Sequence, residues 1–306
     1  MRRWRTDRGN RMKVLNFGSL NIDQVYSVDH ILKGGETLSS EKLEIFPGGK
    51  GLNQSIALAR AGVQVFHAGT CGAGGEMLME LCRENGVDTR FIRRVAEKNG
   101  HSVIQVDRNG QNGILLFGGS NQMQTREHID EVLSHFAPGD MLLLQNEINL
   151  LDYIIARAAA GGMTIVLNPS PFDSRLSRCE MDKVAYFLVN EVEAEQMTGE
   201  TCKEAMPEKL LEKYPHGKFI LTLGSEGSIY KDADCEYRQG IFPVKAVDTT
   251  AAGDTYTGYF LASLLQGKSV PQALETAAAA SALAVSRPGA SSSIPLAVEV
   301  EKSLKA

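Results

Sequence analysis

Six short apolar runs recur along the chain, with helix-patterned segments between them. Residues 14–17, 65–68, 141–144, 164–167, 185–189 and 219–223 are each bounded by polar residues or glycine. Between them, residues 51–61, 75–85, 126–136, 150–160, 191–198 and 203–214 carry apolar side chains at helical spacing. Short runs that are apolar at most positions suit strands covered on both faces. The βαβα order therefore predicts an α/β protein with a mostly parallel sheet between two helical layers. In such sheets ligands bind beyond the carboxyl ends of the strands. Polar residues at the turns that follow these runs are thus the candidates for chemistry.

Two regions break the rhythm. Residues 23–46 contain extended, Thr- and Ser-bearing segments and a Gly34-Gly35 turn, and residues 101–117 read as a hairpin turning at Arg108-Asn109-Gly110. Neither is followed by a helix. They can form a small separate sheet at the ligand-binding end, or edge strands of the main one. A further hairpin is expected over 228–237. No internal repeat or long linker divides the 306 residues, and 43% hydrophobic content is enough for a sizeable core.

Charge is uneven. Six cations (Arg2, Arg3, Arg5, Arg8, Arg11, Lys13) against Asp7 give residues 1–13 a net +5, so the remainder is −10 for a total of −5. The start lacks the apolar run of a signal peptide. Residues 1–11 are expected to be a disordered basic tail, and 12–306 the folded domain. No run approaches the ~18 apolar residues of a membrane span, and the acidic bulk gives no general attraction to nucleic acid. The five cysteines have no metal-ligand spacing and are odd in number, which predicts reduced thiols and a cytoplasmic protein.

Residues 248–254, Asp-Thr-Thr-Ala-Ala-Gly-Asp, open a long small-residue run with helical character. A helix mouth offers unpaired N–H groups and the positive end of the dipole to an anion. An acid beside such a hole suits phosphoryl transfer to a hydroxyl: the hole holds the transferring group and the acid takes the proton. Asp254 is the candidate base, although an ordinary helix-start Asp reads the same way. Gly48-Gly49-Lys50-Gly51-Leu52-Asn53 begins another helix, where Lys50 and Asn53 can donate to hydroxyls. Its spacing is not that of a P-loop. Asn21 and Asp23, two apart on an extended segment, can grip vicinal hydroxyls or form an Asx turn. Asn190 and Glu193 face one way at a helix start, as hydrated Mg²⁺ ligands or as residues suited to the dipole. Thr222-Leu223-Gly224-Ser225-Glu226-Gly227 is a nucleotide loop or a tight turn.

In this order and at these intervals, GGKGLN, NEVEAEQMTG, TLGSEG and DTTAAGDTYTG resemble the ribokinase branch of the pfkB carbohydrate kinase family, as do Asn21-Ile22-Asp23 and Gly35-Glu36-Thr37. The resemblance spans roughly residues 12–304. It implies a Rossmann-like three-layer sandwich with a small β-sheet lid, here in segments of about 22–47 and 100–118, and a homodimer paired through the lids. It implies ATP as phosphoryl donor and Mg²⁺ and K⁺ as cofactors. Asn21, Asp23, Gly49, Lys50, Asn53 and Glu147 would bind the sugar, and Asp254 would be the base. Ala251, Ala252 and Gly253 would form the anion hole. Asn190 and Glu193 would face Mg²⁺ and phosphate, and Asn190, Thr222, Gly224, Ser225, Glu226, Gly227 and Gly253 the nucleotide. Asp248 and Thr250 with Ala284, Arg287, Gly289 and Ser293 would hold K⁺, mostly through carbonyl oxygens.

Departures from the family pattern concern the sugar and the base. Gln145-Asn146-Glu147 stands where Gln-Leu-Glu is common, the region of Ala278 is apolar where a His or Asn often meets adenine, and Asn99-Gly100-His101-Ser102 replaces a Thr-Gly lid segment. His101 is either a sugar contact or an exposed hairpin residue. The implied activity is transfer of the γ-phosphoryl of ATP to the primary hydroxyl of D-ribose, without nucleic-acid or membrane partners. Alternatives are a kinase for deoxyribose, fructose or a nucleoside, the last requiring a stacking surface such as Phe117 or Phe172. A catalytically inactive sugar sensor is the alternative of another class.

Overall fold

The structure is a computed structural model that describes residues 12–305; the tail expected over 1–11 lies outside the described residues. The chain runs β1 (Val14–Phe17), β2 (Asn21–Ser27), β3 (Lys42–Gly48), α1 (Lys50–Arg60), β4 (Val65–Ala73), α2 (Glu76–Glu84), β5 (Asp88–Lys98), β6 (Gly100–Val106) and β7 (Asn112–Phe117). It continues through α3 (Arg126–Leu133), β8 (Met141–Gln145), α4 (Leu151–Ala160), β9 (Thr164–Asn168), β10 (Val184–Asn190), α5 (Glu191–Thr198), α6 (Met206–Lys213) and β11 (Lys218–Thr222). The hairpin β12 (Ser228–Lys231) and β13 (Glu236–Gln239) precedes α7 (Ala252–Leu265), α8 (Val270–Val285) and α9 (Ala297–Ser303).

Among the described residues, nine strands form one sheet in the order β13-β12-β11-β10-β9-β8-β1-β4-β5. Pairing is parallel from β11 to β5 and antiparallel at the β12–β13 hairpin. Successive strand residues face opposite layers, as an apolar run requires. Val14, Leu143 and Ile220 join the core beneath α1, α2, α7, α8 and α9. Leu15, Leu142, Leu144, Phe219 and Leu221 join the core beneath α3, α4, α5 and α6. Two separate cores on the two faces make the expected three-layer sandwich.

The sequence pattern did not reveal β5. It is a sheet edge, where only Ile92 is buried and Arg90, Arg93, Arg94 and Lys98 interrupt the apolar pattern. Charge on an edge strand discourages pairing with other chains, and it also hides the strand from a periodicity search. The segments that broke the rhythm form a second, four-stranded sheet ordered β3-β2-β6-β7. It is not an extension of the main sheet. Its β2–β6 pair is parallel and its outer pairs are antiparallel.

Chain order places a switch point at the centre of the main sheet. From β1 the chain builds β4 and β5 on one side and then returns to build β8 to β11 on the other. The turns after β1 and β8 diverge there, which opens a crevice at the carboxyl ends of the strands.

Candidate active site

Polar residues end the apolar strands along this crevice. Gln145 ends β8, Asn168 ends β9, Asn190 ends β10 and Thr222 ends β11. Parallel register sets Gln145 beside Asn168 and Asn190 beside Thr222. A cleft of about 230 Å³ is lined by Lys50, Asn168, Asn190, Glu193, Thr222 and the start of α7 from Ala251 to Asp254.

Asp254 lies in the first turn of α7 and is only 7% exposed. Its carboxylate is held from both sides: Asn53 Nδ2 donates to Oδ2 (3.0 Å) and Gln54 Nε2 to Oδ1 (2.9 Å). Both donors lie on α1, so the two helices must approach closely. They do so one turn further on. A Cβ on Gly258 would lie 2.3 Å from the Ala57 Cβ, so only glycine permits this spacing. Positions 258 and 57 each lie four residues beyond Asp254 and Asn53, on the same helix faces.

The mouth of α7 has the expected form. Ala251 caps it in the left-handed region at φ 59°, where a non-glycine residue is strained. The Thr255 amide bonds the Ala251 carbonyl (2.8 Å), and Ser281 on α8 donates to the Ala252 carbonyl (3.1 Å). The Ala252 amide donates to the Thr249 carbonyl (3.2 Å), and the Gly253 and Asp254 amides that follow, at residues lining the cleft, have no intrahelical acceptor.

Lys50 enters at the start of α1. Burial alone would push its ammonium down, but Asp254, Glu147 and Glu193 outweigh burial and hold it above its ordinary value. It remains a cation among three acids. Glu147 is buried beside it, accepting from the Ser19 hydroxyl and from the Lys50 amide (3.2 Å). Burial pushes the Glu147 carboxyl up against the pull of Lys50 and Ser19.

Asn21 and Asp23 project from β2 on one face of the small sheet. Asn21 Oδ1 accepts from Asn121 Nδ2 (2.6 Å). Asp23 accepts from the Ser102 hydroxyl on β6 and is raised chiefly by burial, with Ser102 opposing. Gly48, before the Gly49 cap of α1, leaves the space that the Asp23 carboxylate fills; a Cβ there would lie 1.8 Å from Oδ2.

His101 does not join this group. It pairs in register with Ile22, on the face opposite Asp23, packs its ring at a tilt of 43° against Phe117 (centroids 4.9 Å apart) and places Nδ1 3.2 Å from the Asn99 carbonyl. Its neighbour Ser102 takes the position beside Asp23.

Asn190 and Glu193 both line the cleft, and together they cap the start of α5. Glu193 N–H donates to Asn190 Oδ1 (2.9 Å), and Asn190 N–H to Glu193 Oε2 (3.0 Å). The capping and metal readings are compatible, because Glu193 Oε1 is left for a hydrated cation. The donor set is oxygen-only, as Mg²⁺ requires. Among the described residues, no cluster of three or more acids, histidines and cysteines could hold a metal directly.

Gly224, Ser225, Glu226 and Gly227 form the turn after β11, with Thr222 reaching the cleft and Glu226 held by Lys203. Asp248 ties two segments together, accepting from the Thr250 amide (2.9 Å) and the Gly289 amide (2.9 Å). Burial raises its carboxyl, but these donors win and hold it below its ordinary value. Ser293 is buried in the same loop, while the Arg287 guanidinium turns away to Glu299 (2.6 Å).

Gln54, Asn168, Ser102 and Asn121 are site residues that motif reasoning passed over. Gln54 follows directly on Asn53, and Asn168 is the polar residue ending an apolar run, so both carried a signal. Ser102 and Asn121 act through strand pairing that no local pattern encodes.

The pfkB family carbohydrate kinase model matches residues 11–297. Ribokinase of Haemophilus influenzae is 36% identical over 289 residues, covering 91% of this chain and 94% of that protein. The crystal structure of ribokinase from Thermotoga maritima has a TM-score of 0.86 at 34% identity and covers 96% of this chain and 100% of that one. Ribokinase of Arabidopsis thaliana, solved with ribose and ATP, has a TM-score of 0.85 at 28% identity, covering 97% and 100%. The family model and these relatives cover nearly the whole chain: it belongs to the pfkB family of carbohydrate kinases.

Proposed function

We propose that the protein is an ATP-dependent kinase that transfers the γ-phosphoryl group to the primary hydroxyl of D-ribose, giving ribose 5-phosphate. The observation that carries this is the Asp254 carboxylate, fixed by two amides at the mouth of α7 with the Lys50 cation in the same cleft. Asn21, Asp23, Asn53 and Glu147 offer a small polyol several donors and acceptors. Asn53 Oδ1 is buried without a partner and can accept from a sugar hydroxyl. Asp254 takes the proton of the hydroxyl that attacks, in line with the leaving oxygen. The amides at the start of α7 and the helix dipole stabilise charge on the group in flight. Thr222 and the 224–227 turn lie where the nucleotide would run.

Asn190 and Glu193 would hold Mg²⁺ through water; when bound, it neutralises phosphate charge. Asp248 and the carbonyls of Thr250, Ala284, Arg287, Gly289 and Ser293 would hold K⁺ and so order the turn before Ala251. The small sheet, in segments of about 22–47 and 100–118, would act as a lid that excludes water from the transfer. Its exposed Leu43, Ile45, Leu115 and Phe117, all on the face opposite Asp23 by register, support a homodimer paired through the lids. A nucleoside acceptor is disfavoured, since Phe117 lies on the lid face opposite Asp23 and Phe172 packs against a core. Five unpaired cysteines suit a reducing compartment such as the cytoplasm. Among the described residues no helix is long and apolar enough to cross a membrane.

The test is ADP release across pentoses, hexoses and nucleosides, with and without K⁺, beside the Asp254→Asn variant. Turnover is expected with ribose, and a fall of about 10²-fold or more in the variant with ribose binding retained. Turnover with nucleosides alone, or an Asp254→Asn variant as fast as its parent, would exclude the reading.

A further inference from the structure

Gln54 is buried, and its amide can adopt only one orientation. Two backbone carbonyls, which can only accept, impose it from opposite sides. On one side the Gly51 carbonyl takes a hydrogen bond from Asn16 Nδ2 (2.7 Å). Asn16 therefore turns Oδ1 toward Gln145, whose Nε2 donates to it (3.0 Å) and also to Gln54 Oε1 (2.7 Å). On the other side the Leu188 carbonyl takes Asn168 Nδ2 (2.9 Å), which turns Asn168 Oδ1 toward Gln54 Nε2 (3.2 Å). Each path requires that Gln54 present Oε1 to Gln145 and Nε2 to Asn168 and Asp254. A flipped amide would set its oxygen against two acceptors and its NH₂ against another NH₂.

Asn53, the other donor to Asp254, has no such lock. Its Oδ1 is buried without a partner, so this residue can be shared with substrate. The two donors thus differ in kind: one is fixed by the sheet and the other is open to the ligand.

We propose that Gln54 is the positioning residue of Asp254, a locked donor that pins Oδ1 and thereby directs Oδ2, which keeps a second lone pair beside its bond from Asn53, to receive the proton of the sugar hydroxyl. The locks sit on strand ends of the main sheet, Gln145 on β8 and Asn168 on β9. The direction of the carboxylate is therefore set by the sheet rather than by the loop that carries Ala251. This rests on the reading of Asp254 as the base.

The experiment uses the full chain with Gln54→Leu and Gln54→Glu, measuring kcat and KM for ribose at saturating ATP and ribose affinity by calorimetry. Gln54→Leu is expected to lower kcat by about 10²-fold, the cost of a misplaced reacting group, while ribose affinity changes little. Gln54→Glu places a carboxyl where the donor was. As the pH is lowered from about 8 to about 6, protonation of that buried carboxyl restores a donor, so its kcat relative to the parent is expected to rise. Unchanged kcat in Gln54→Leu, a loss confined to KM, or a Gln54→Glu ratio that stays flat with pH overturns the proposal. If Gln54→Leu does not fold, the nearly isosteric Gln54→Glu decides alone. Asp254→Asn separates the two readings: normal turnover there removes the base itself, whereas its inactivity beside a fully active Gln54→Leu removes only the role of Gln54.

Discussion

His67 shows how one buried residue adds a pH dependence to the whole chain. It is fully buried on β4, where the Ser55 hydroxyl lies 2.8 Å from Nδ1. Ser55 in turn receives Asn16 Nδ2 (2.8 Å), so the imidazole closes the same polar cluster that orients Gln54. Burial holds it neutral, pushing it from 6.5 down to about 4. Below its ordinary value the unfolded imidazole binds a proton and the folded one does not. The unfolded state then gains protons, so stability falls as pH drops through this window. The contribution is present above 6.5 and lost progressively toward about 4. The limiting slope is about 1.4 kcal/mol per pH unit. Urea unfolding of the parent and of His67→Leu, at about pH 7 and about pH 5, reads this directly. The parent is expected to lose more stability between the two conditions than the variant; equal losses would show that His67 is protonated in the folded state.

At the scale of elements, the contact between α1 and α7 decides whether the site exists. Gly258 faces Ala57 where a Cβ would be 2.3 Å from its neighbour, and the Asp254 donors lie one turn earlier on the facing helix. Gly258→Ala must push the helices apart. The expected cost is about 1–3 kcal/mol of stability, as for other overpacked cores, together with a fall in kcat as Asp254 leaves Asn53 and Gln54. Thermal unfolding and turnover measured on one preparation test this; a stable variant with full turnover would show that the helix spacing does not govern the base. The start of α7 itself was legible in the sequence, because the small-residue run that begins at Ala251 has helical character. The partners of Asp254 were only half legible. Asn53 belongs to a recognisable motif, while Gln54 looks like any polar helix residue until β8 and β9 bring Gln145 and Asn168 against it.

For the whole molecule, the two sheets divide the work. Helices packed on the main sheet carry Asp254 and its donors, and the small sheet carries Asn21, Asp23 and Ser102. The small sheet leaves Leu115 70% and Phe117 47% exposed on one face of its edge strand β7, a feature that an isolated protein would blunt with charge. If a second copy covers it, the double substitution Leu115→Glu and Phe117→Glu will yield monomers in sedimentation equilibrium and weaken ribose binding. A variant of unchanged mass, or a parent that is already monomeric, would remove the lid dimer.

The sequence alone determined the α/β class, the six central strands and the residues that define the family. Each depends on local periodicity or on a short motif, and those are written along the chain. It also marked the two segments that form the second sheet, because strands without following helices break the rhythm. The tertiary structure decided the rest. β5 emerged only as an edge, Ser102 rather than His101 faced Asp23 through the β2–β6 register, and the amide network around Gln54 appeared where four separate segments meet. These depend on pairings between residues far apart in sequence, and hydrogen-bond direction passes through such pairings without leaving a periodic trace.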